Sequence, residues 1–205
     1  VALELLVIVV SYLLGSVSFS VLFAKLLKGI DIRQYGSGNA GATNTLRVLG
    51  KGPAISVLVL DVLKGVAAVW LGTWVGGWGT WVPALCGIAA IVGHNWPLYF
   101  RFRGGKGIAT TIGVMATLCL WPALLAGVIA IGSIFITRYV SLGSLIFVAL
   151  TPVFLLLTGF TQPVLWTSII IAIFAFWRHR TNIVKIVEGR ENKIGSKVKG
   201  GNRVV

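Results

Sequence analysis

The chain has 205 residues, 57% of them hydrophobic and only 11% charged, and it carries a formal net charge of +13. Soluble globular domains have charge on about a quarter of their residues, so that class is excluded, and one compact domain with most of its surface in lipid is expected. Nucleic acid is excluded as the partner of the positive charge: the basic residues fall between apolar runs and in the tail, as the positive-inside rule requires, where the head groups of anionic membrane lipids account for them.

The first apolar run covers residues 2–24, with Glu4 near its outer end and Lys25 and Lys28 after it, which places the N-terminus outside. No basic residue precedes this run, so a cleaved signal peptide fits poorly. Residues 25–52 form an inner segment holding Lys25, Lys28, Arg33, Arg47 and Lys51. Pro53 suits the first turn of a helix, where its missing N–H costs nothing. A second span follows over 54–75, an outer turn over 76–81 with Trp78 and Trp81 at interface depth, and a third span over 82–100.

Residues 108–137 would reach ~45 Å as one helix, against ~30 Å of hydrocarbon. Trp121-Pro122 breaks the run, and basic residues flank both ends. The reading is two short helices, 108–120 and 122–137, in an in-out-in hairpin that keeps Arg138 inside; one long span would put Arg138 outside. Spans over 140–158 and 163–177 follow, joined by an outer turn at Gly159–Gln162, and the tail from Arg178 is cytoplasmic. The fold expected is therefore an all-α, polytopic membrane protein with seven transmembrane helices, two of them short. Every Lys and Arg except Lys64 then lies on one face. Lys64 is inside the second span three residues after Asp61, and the two are expected to form a buried structural pair. No internal repeat is evident, and residues 195–205 read as flexible.

Three polar clusters interrupt the apolar sequence on the inner face. The second along the chain is Gly93 to Thr111, in which Arg101, Arg103 and Lys106 are interleaved with Gly104, Gly105 and Gly107. Glycines let backbone N–H groups approach a ligand, lysine adds a point charge, and the helix beginning at Ile108 would offer its N-terminus to an anion. This suits a phosphate or other oxyanion cradle, although a plain cytoplasmic turn would use the same residues. The first cluster is Ser37-Gly38-Asn39-Ala40-Gly41-Ala42-Thr43-Asn44, feeding a short helix with Thr43 or Asn44 as N-cap and with Arg47 as a bidentate fork for phosphate. Gly36, Gly38 and Gly41 fit G-x-G-x-x-G, but no βαβ unit surrounds them, so a dinucleotide site is excluded. The third cluster runs from Arg178-His179-Arg180-Thr181-Asn182 to Glu188, Gly189 and Lys193. His179 is its one group titrating near neutral pH, a candidate base or phosphate donor. Ser144 at the inner end of the sixth span, and His94 with Asn95 at the inner end of the third, are further candidates. Cys86 and Cys119 lie in apolar runs and suit packing, and two histidines and five acids at no ligand spacing argue against a metal.

GSGNAGATN with Arg47, then GHNWPLYFRFRGGKGIATT, then RHRTNI with Glu188-Gly189 and Lys193-x-Gly195 resemble the three motifs of the bacterial acyl-phosphate:glycerol-3-phosphate acyltransferases. The match keeps all three motifs in order, between apolar runs, over essentially the whole chain. The resemblance implies seven membrane helices in the bacterial cytoplasmic membrane with the site on the cytoplasmic face. It implies transfer of a fatty acyl group from acyl phosphate to the 1-hydroxyl of glycerol 3-phosphate, giving lysophosphatidic acid for phospholipid synthesis, without metal or other cofactor. Ser37 and Arg47 match functional positions of the first motif. Gly104, Gly105 and Gly107 with Lys106 match the phosphate-binding loop of the second, and His179 and Asn182 match functional positions of the third, with Glu188 in a supporting one. Asn39, Gly41, Thr43, Asn44, His94 and Ser144 complete the expected substrate contacts. The tail beyond Gly195 matches no motif.

The residues agree with that chemistry. Two phosphate-bearing substrates would explain three basic, glycine- or asparagine-rich clusters on one face. A mixed anhydride is already activated, so no covalent nucleophile is needed, and neither cysteine is near a cluster. The His-x4-Asp pattern of thioester-using acyltransferases is absent, with Tyr99 and Val184 at the acid's positions after His94 and His179. An anion transporter or channel is the alternative, but it should carry polar residues at the bilayer midplane on broken helices of two similar halves. A lipid-binding scaffold would need only the tail.

Overall fold

A computed structural model describes residues 1–195, which form helices joined by turns, with no strand among them. The expectation of a flexible 195–205 falls, apart from Gly195, outside the described residues.

The first apolar run is two helices, α1 (Ala2–Gly15) and α2 (Phe19–Lys28), the second running past the expected end at residue 24. Between them the Ser16 hydroxyl bonds back to the Tyr12 carbonyl at 2.9 Å and Ser18 turns extended. The break frees the Val17 carbonyl, which accepts a hydrogen bond from Lys64 at 2.9 Å. After the first loop come α3 (Ala42–Leu49) and the long α4 (Lys51–Gly76), with Pro53 in its first turn as expected. The N-cap of α3 is Gly41, not Thr43 or Asn44, which both lie inside the helix; the Asn44 side chain is drawn back into the preceding loop instead. Trp81 opens α5 (Trp81–Asn95), while Trp78 stays in the turn and packs edge-on against Trp70 with 5.3 Å between centroids. α5 ends at Asn95 instead of continuing to residue 100, because Pro97 drives Trp96 out of helical backbone.

The run 108–137 divides in two, as the sequence requires, but at Cys119 and not at Trp121-Pro122: α6 spans Ile108–Leu118 and α7 spans Leu120–Thr137. Pro122 is the third residue of α7, where its missing N–H would have had no partner, so it starts a helix and does not interrupt one. Then come α8 (Val140–Thr158), α9 (Gln162–Arg178) and α10 (Arg180–Val187). Ala2–Lys28, α4, α7 and α8 are long and apolar enough to cross a bilayer, and α6 and α9 are shorter apolar helices.

α1 packs on α5, α4 on α5 and α6, and α7 along α8. Lipid gives little hydrophobic drive between helices, so close backbone approach through small residues takes its place. A β-carbon at Gly15 would strike the Ala90 backbone, and one at Gly113 the Val62 carbonyl. Val69, Ile91, Val114, Met115, Leu155 and Ile171 fill the core, while Phe135, Ile136 and Leu157 stay exposed on the outer surface. Arg138 caps α7 in left-handed backbone and exchanges two bonds with Ile194: its guanidinium donates to the Ile194 carbonyl at 2.9 Å, and its own carbonyl accepts from the Ile194 N–H at 2.8 Å. The C-terminal end of α7 therefore lies beside the segment after α10, at the end of the bundle where the polar loops meet.

Candidate active site

A cavity of about 630 Å³ opens between these loops and runs down among α6, α7 and α8. Its loop end is polar. Its inner wall is apolar, formed by Ile112, Ala116, Leu124, Val128, Ile131 and Phe147.

The first loop is shaped by Asn44, which is fully buried. Its amide donates to the carbonyls of Ile32 at 3.2 Å and Tyr35 at 3.0 Å, and its oxygen accepts the Ser37 N–H at 2.8 Å. These bonds leave Ser37 exposed on the cavity wall beside Asn39, Gly41 and Thr43. Arg47 projects from α3 onto the same wall. Partial burial lowers its pKa, and the carboxylate of Glu191 opposes that shift. Arg33 has another task. It grips Asp31 through contacts of 2.7–3.1 Å, which hold that carboxyl below its usual pKa. It also donates to the carbonyls of Phe100 at 2.8 Å and Arg103 at 3.1 Å, tying the first loop to the second.

In the second loop Arg101 and Arg103 are exposed, and only Lys106 joins the cavity wall, with Gly104 and Gly107 on either side. Gly105 is buried behind that wall: its N–H donates to the His94 carbonyl at 3.1 Å, and a β-carbon there would strike the Ala40 carbonyl and the His94 ring. Arg178, at the end of α9, donates to the carbonyls of Gly104 and Gly105, each at 3.2 Å, and lies over the Trp96 ring at 5.5 Å. Gly107 caps α6 with φ of 81°.

The third loop brings His179 and Asn182 to the cavity. His179 is buried at the α9–α10 junction, with Nδ1 2.8 Å from the Ala175 carbonyl. Burial first, and then the charge of Lys106, push its pKa down to about 4, so the ring is neutral at working pH. Lys106 donates to Asn182 Oδ1, and Asn182 Nδ2 donates to Glu191 Oε1 at 2.9 Å. Burial pushes Lys106 down to about 8; Glu191 counters this, while Arg178 and Arg47 add to it. Ser144 lines the cavity but donates to the Val140 carbonyl at 2.9 Å. Glu188 makes an exposed ion pair with Arg190.

Beneath the loops the expected Asp61–Lys64 pair is present at 2.7 Å and buried. It extends to His94, whose Nδ1 is 3.0 Å from Lys64 Nζ. The structure thus brings to one cavity every residue expected to act on or contact substrate except Gly105, which supports the wall from behind, while Asn95 is buried off the cavity and Arg101 and Arg103 lie outside it. Three roles escaped the sequence reading: Arg178 as a clamp on the glycine loop, Glu191 as the partner of Asn182, and the joining of His94 to the Asp61–Lys64 pair. Glu191 had one signal, being one of only five acids in a strongly basic chain. Among the described residues no cluster of His, Cys, Asp or Glu could hold a metal ion.

The family model for glycerol-3-phosphate acyltransferase matches residues 5–189. A glycerol-3-phosphate acyltransferase of Halalkalibacterium halodurans is 60% identical over 197 residues, covering 94% of this chain and 96% of that protein. One from Shouchella clausii is 59% identical over 191 residues, covering 91% and 93%. Among solved structures, the chain is similar to the integral membrane glycerol 3-phosphate acyltransferase PlsY (YgiH). For its glycerol 3-phosphate form the TM-score is 0.90 and the identity 39%, over 94% of this chain and 96% of that one. For its lysophosphatidic acid form they are 0.87 and 38%, over 95% and 97%.

Proposed function

The chain belongs to the glycerol-3-phosphate acyltransferase family, and from that membership we propose which substrates its cavity takes and how its residues act on them. It is an integral membrane enzyme with multiple helical spans that acylates glycerol 3-phosphate to lysophosphatidic acid. The donor is acyl phosphate. The observation that carries this is the two-sided cavity: Arg47, Lys106 and Asn182 gather at its loop end, while the apolar faces of α6, α7 and α8 run away from them. A phosphate and a long acyl chain joined in one molecule fit that division.

The hydroxyl oxygen of glycerol 3-phosphate attacks the acyl carbonyl carbon directly. The new C–O bond forms, the bond from the carbonyl carbon to the phosphate oxygen breaks, and the hydroxyl proton goes to a phosphate oxygen. Arg47 and Lys106 hold the two phosphates, and Asn182 sets the position of the Lys106 ammonium. Glycine-loop N–H groups and basic side chains stabilise the oxyanion as it develops. Ser37 sits on the cavity wall among Asn39, Thr43 and Arg47, which favours a phosphate donor over a nucleophile. His179, neutral and of low basicity, is a poorer proton acceptor than a substrate phosphate with a second pKa of about 6.

Seven helical spans fit the sequence of apolar segments: α1 with α2, then α4, α5, α6, α7, α8 and α9. In the bacterial cytoplasmic membrane the loops face the cytoplasm and the N-terminus the outside. The Arg138–Ile194 bonds support an in-out-in path for α6 and α7. Cysteine-accessibility labelling should place positions 29–52, 101–106, 138 and 179–195 on one face and 76–81 on the other; position 138 on the outer face would refute this arrangement. For the donor, purified protein supplied with acyl phosphate and glycerol 3-phosphate should form the lysolipid without metal or nucleotide. Robust activity with acyl-CoA and none with acyl phosphate would overturn the reading.

A further inference from the structure

The chain has two histidines, and both line the cavity. Their hydrogen bonds are opposite in sense. His179 Nδ1 faces the Ala175 carbonyl at 2.8 Å. A carbonyl only accepts, so Nδ1 carries the proton and Nε2 of the neutral ring keeps its lone pair. His94 Nδ1 faces an ammonium instead. Lys64 has three N–H donors and three polar atoms around it: Asp61 Oδ1 in an ion pair at 2.7 Å, and the Val17 carbonyl at 2.9 Å and His94 Nδ1 at 3.0 Å in hydrogen-bonding contact. A proton on His94 Nδ1 would set two donors against each other in a buried site, which is costly. Nδ1 therefore accepts, and the proton belongs on Nε2. The 3.5 Å separation of Nδ1 from Asp61 Oδ1 fits two acceptors bridged by one ammonium. Thr110 Oγ1, at 3.4 Å, also lies on the Nδ1 side. The Nε2 edge lies against Gly105, the position at which a β-carbon would run into Nε2.

We propose that the buried Asp61–Lys64–His94 chain fixes His94 as its Nε2–H tautomer, so that it donates a hydrogen bond from beneath the glycine loop to an anionic substrate oxygen, while His179 presents an unprotonated Nε2 to the same cavity. The enzyme then has two imidazoles of opposite character, a donor and an acceptor, set by partners outside the three loops. Asp61 and Lys64 are positioning residues acting through His94, and the α1–α2 break contributes by offering Lys64 its third acceptor. The proposal deepens the acyl-transfer reading and rests on it for the identity of the anion, but the tautomers are measurable without any donor.

The test uses full-length protein in lipid nanodiscs with 15N-labelled histidine, where two residues give two assignable ring patterns. The spectra should show protonated Nε2 and bare Nδ1 for His94, and the reverse for His179. Both rings in one tautomer, or a doubly protonated His94 at neutral pH, would overturn the proposal. Adding glycerol 3-phosphate, or inorganic phosphate as the simplest probe, should move the His94 Nε2–H resonance; no movement with either, nor with acyl phosphate, would remove the substrate contact. Kinetically, His94→Leu should lose at least a hundredfold in kcat/KM, and His94→Gln, which restores an N–H near the Nε2 position, should recover at least tenfold of that. A raised KM for one substrate would assign the hydrogen bond to its phosphate, and a fall in kcat alone would assign it to the oxyanion of the reaction. Equal loss in both variants would count against a donor role. Lys64→Met should redistribute the His94 tautomers while leaving the His179 pattern in place; an unchanged His94 pattern would show that Lys64 does not set it. Failure of acyl phosphate as donor would leave these spectra as expected, so the two readings fail separately.

Discussion

The first and second loops meet the same cavity but are held in different ways. One buried side chain, Asn44, organises the first by bonding two carbonyls and one N–H within it. The second is held from outside by two arginines, with Arg33 on the carbonyls of Phe100 and Arg103 and Arg178 on those of Gly104 and Gly105. A glycine-rich loop has no side chains of its own to fix it, so its carbonyls must be bound by neighbours if its N–H groups are to face a ligand. The comparison divides the basic residues by task. Arg33 and Arg178 bind backbone, Arg101 and Arg103 are exposed, and Arg47 and Lys106 face the cavity, where they are the proposed substrate ligands. Clustering of basic residues in sequence therefore does not single out candidate anion ligands; what each basic side chain already holds narrows them.

The sharpest way to break this division is to remove the proposed ligands. Lys106→Ala and Arg47→Ala should each lose roughly 2–5 kcal/mol in kcat/KM, the range for truncating one partner of a desolvated charge pair, with the thermal midpoint in detergent little changed. Arg47→Lys should also be impaired, since a point charge does not reproduce the fork. Near-normal kinetics in all three folded variants would return these residues to a topological role. Arg178→Ala should do the reverse, lowering the thermal midpoint together with activity, at a cost of about 1–3 kcal/mol for carbonyls left unpaired. A stable Arg178→Ala enzyme with a raised KM for phosphate substrates would place Arg178 among the ligands. Arg101→Ala and Arg103→Ala mark the small end, within about 0.5 kcal/mol in stability and activity.

The pH profile sharpens the same contrast. Because burial holds Lys106 near 8 in the free enzyme, the ammonium is lost as pH rises through that value, and kcat/KM for the phosphate-bearing substrates should fall on the alkaline side. Substrate anion raises this pKa in the complex, so the fall should lie at higher pH in kcat. Lys106→Arg, charged at every accessible pH, should lose the alkaline limb. On the acid side, His179 near 4 stays neutral down to that range. A limb near 6 should therefore come from the substrate phosphate and persist in His179→Gln. Its disappearance in that variant would make the histidine the titrating group.

Much of this was legible in the sequence because membrane helices declare themselves by length and composition, and because the three motifs stand out as the polar interruptions. The Asp61–Lys64 pair followed from its i,i+3 spacing inside an apolar run. What escaped depended on contacts between distant residues. Pro122 read as a breaker because its position relative to a helix start could not be known without locating Cys119. Arg178 and Arg180 look alike in RHR, yet only Arg178 reaches the glycine loop, while Arg180 lies 5.0 Å from the Trp177 ring. His94 could not be joined to Lys64 until α4 and α5 were packed together. Asn44 was expected to touch substrate or cap α3; it lines the cavity, but its hydrogen bonds close the loop.

The central claim is that both substrates are held in this one cavity and that the acyl group passes directly between them. Initial rates measured while acyl phosphate and glycerol 3-phosphate are both varied test it most directly. Direct transfer predicts double-reciprocal lines that intersect, with no acylated protein trapped when glycerol 3-phosphate is withheld; parallel lines, or an acyl group recovered on Ser37 or any other side chain, would contradict it.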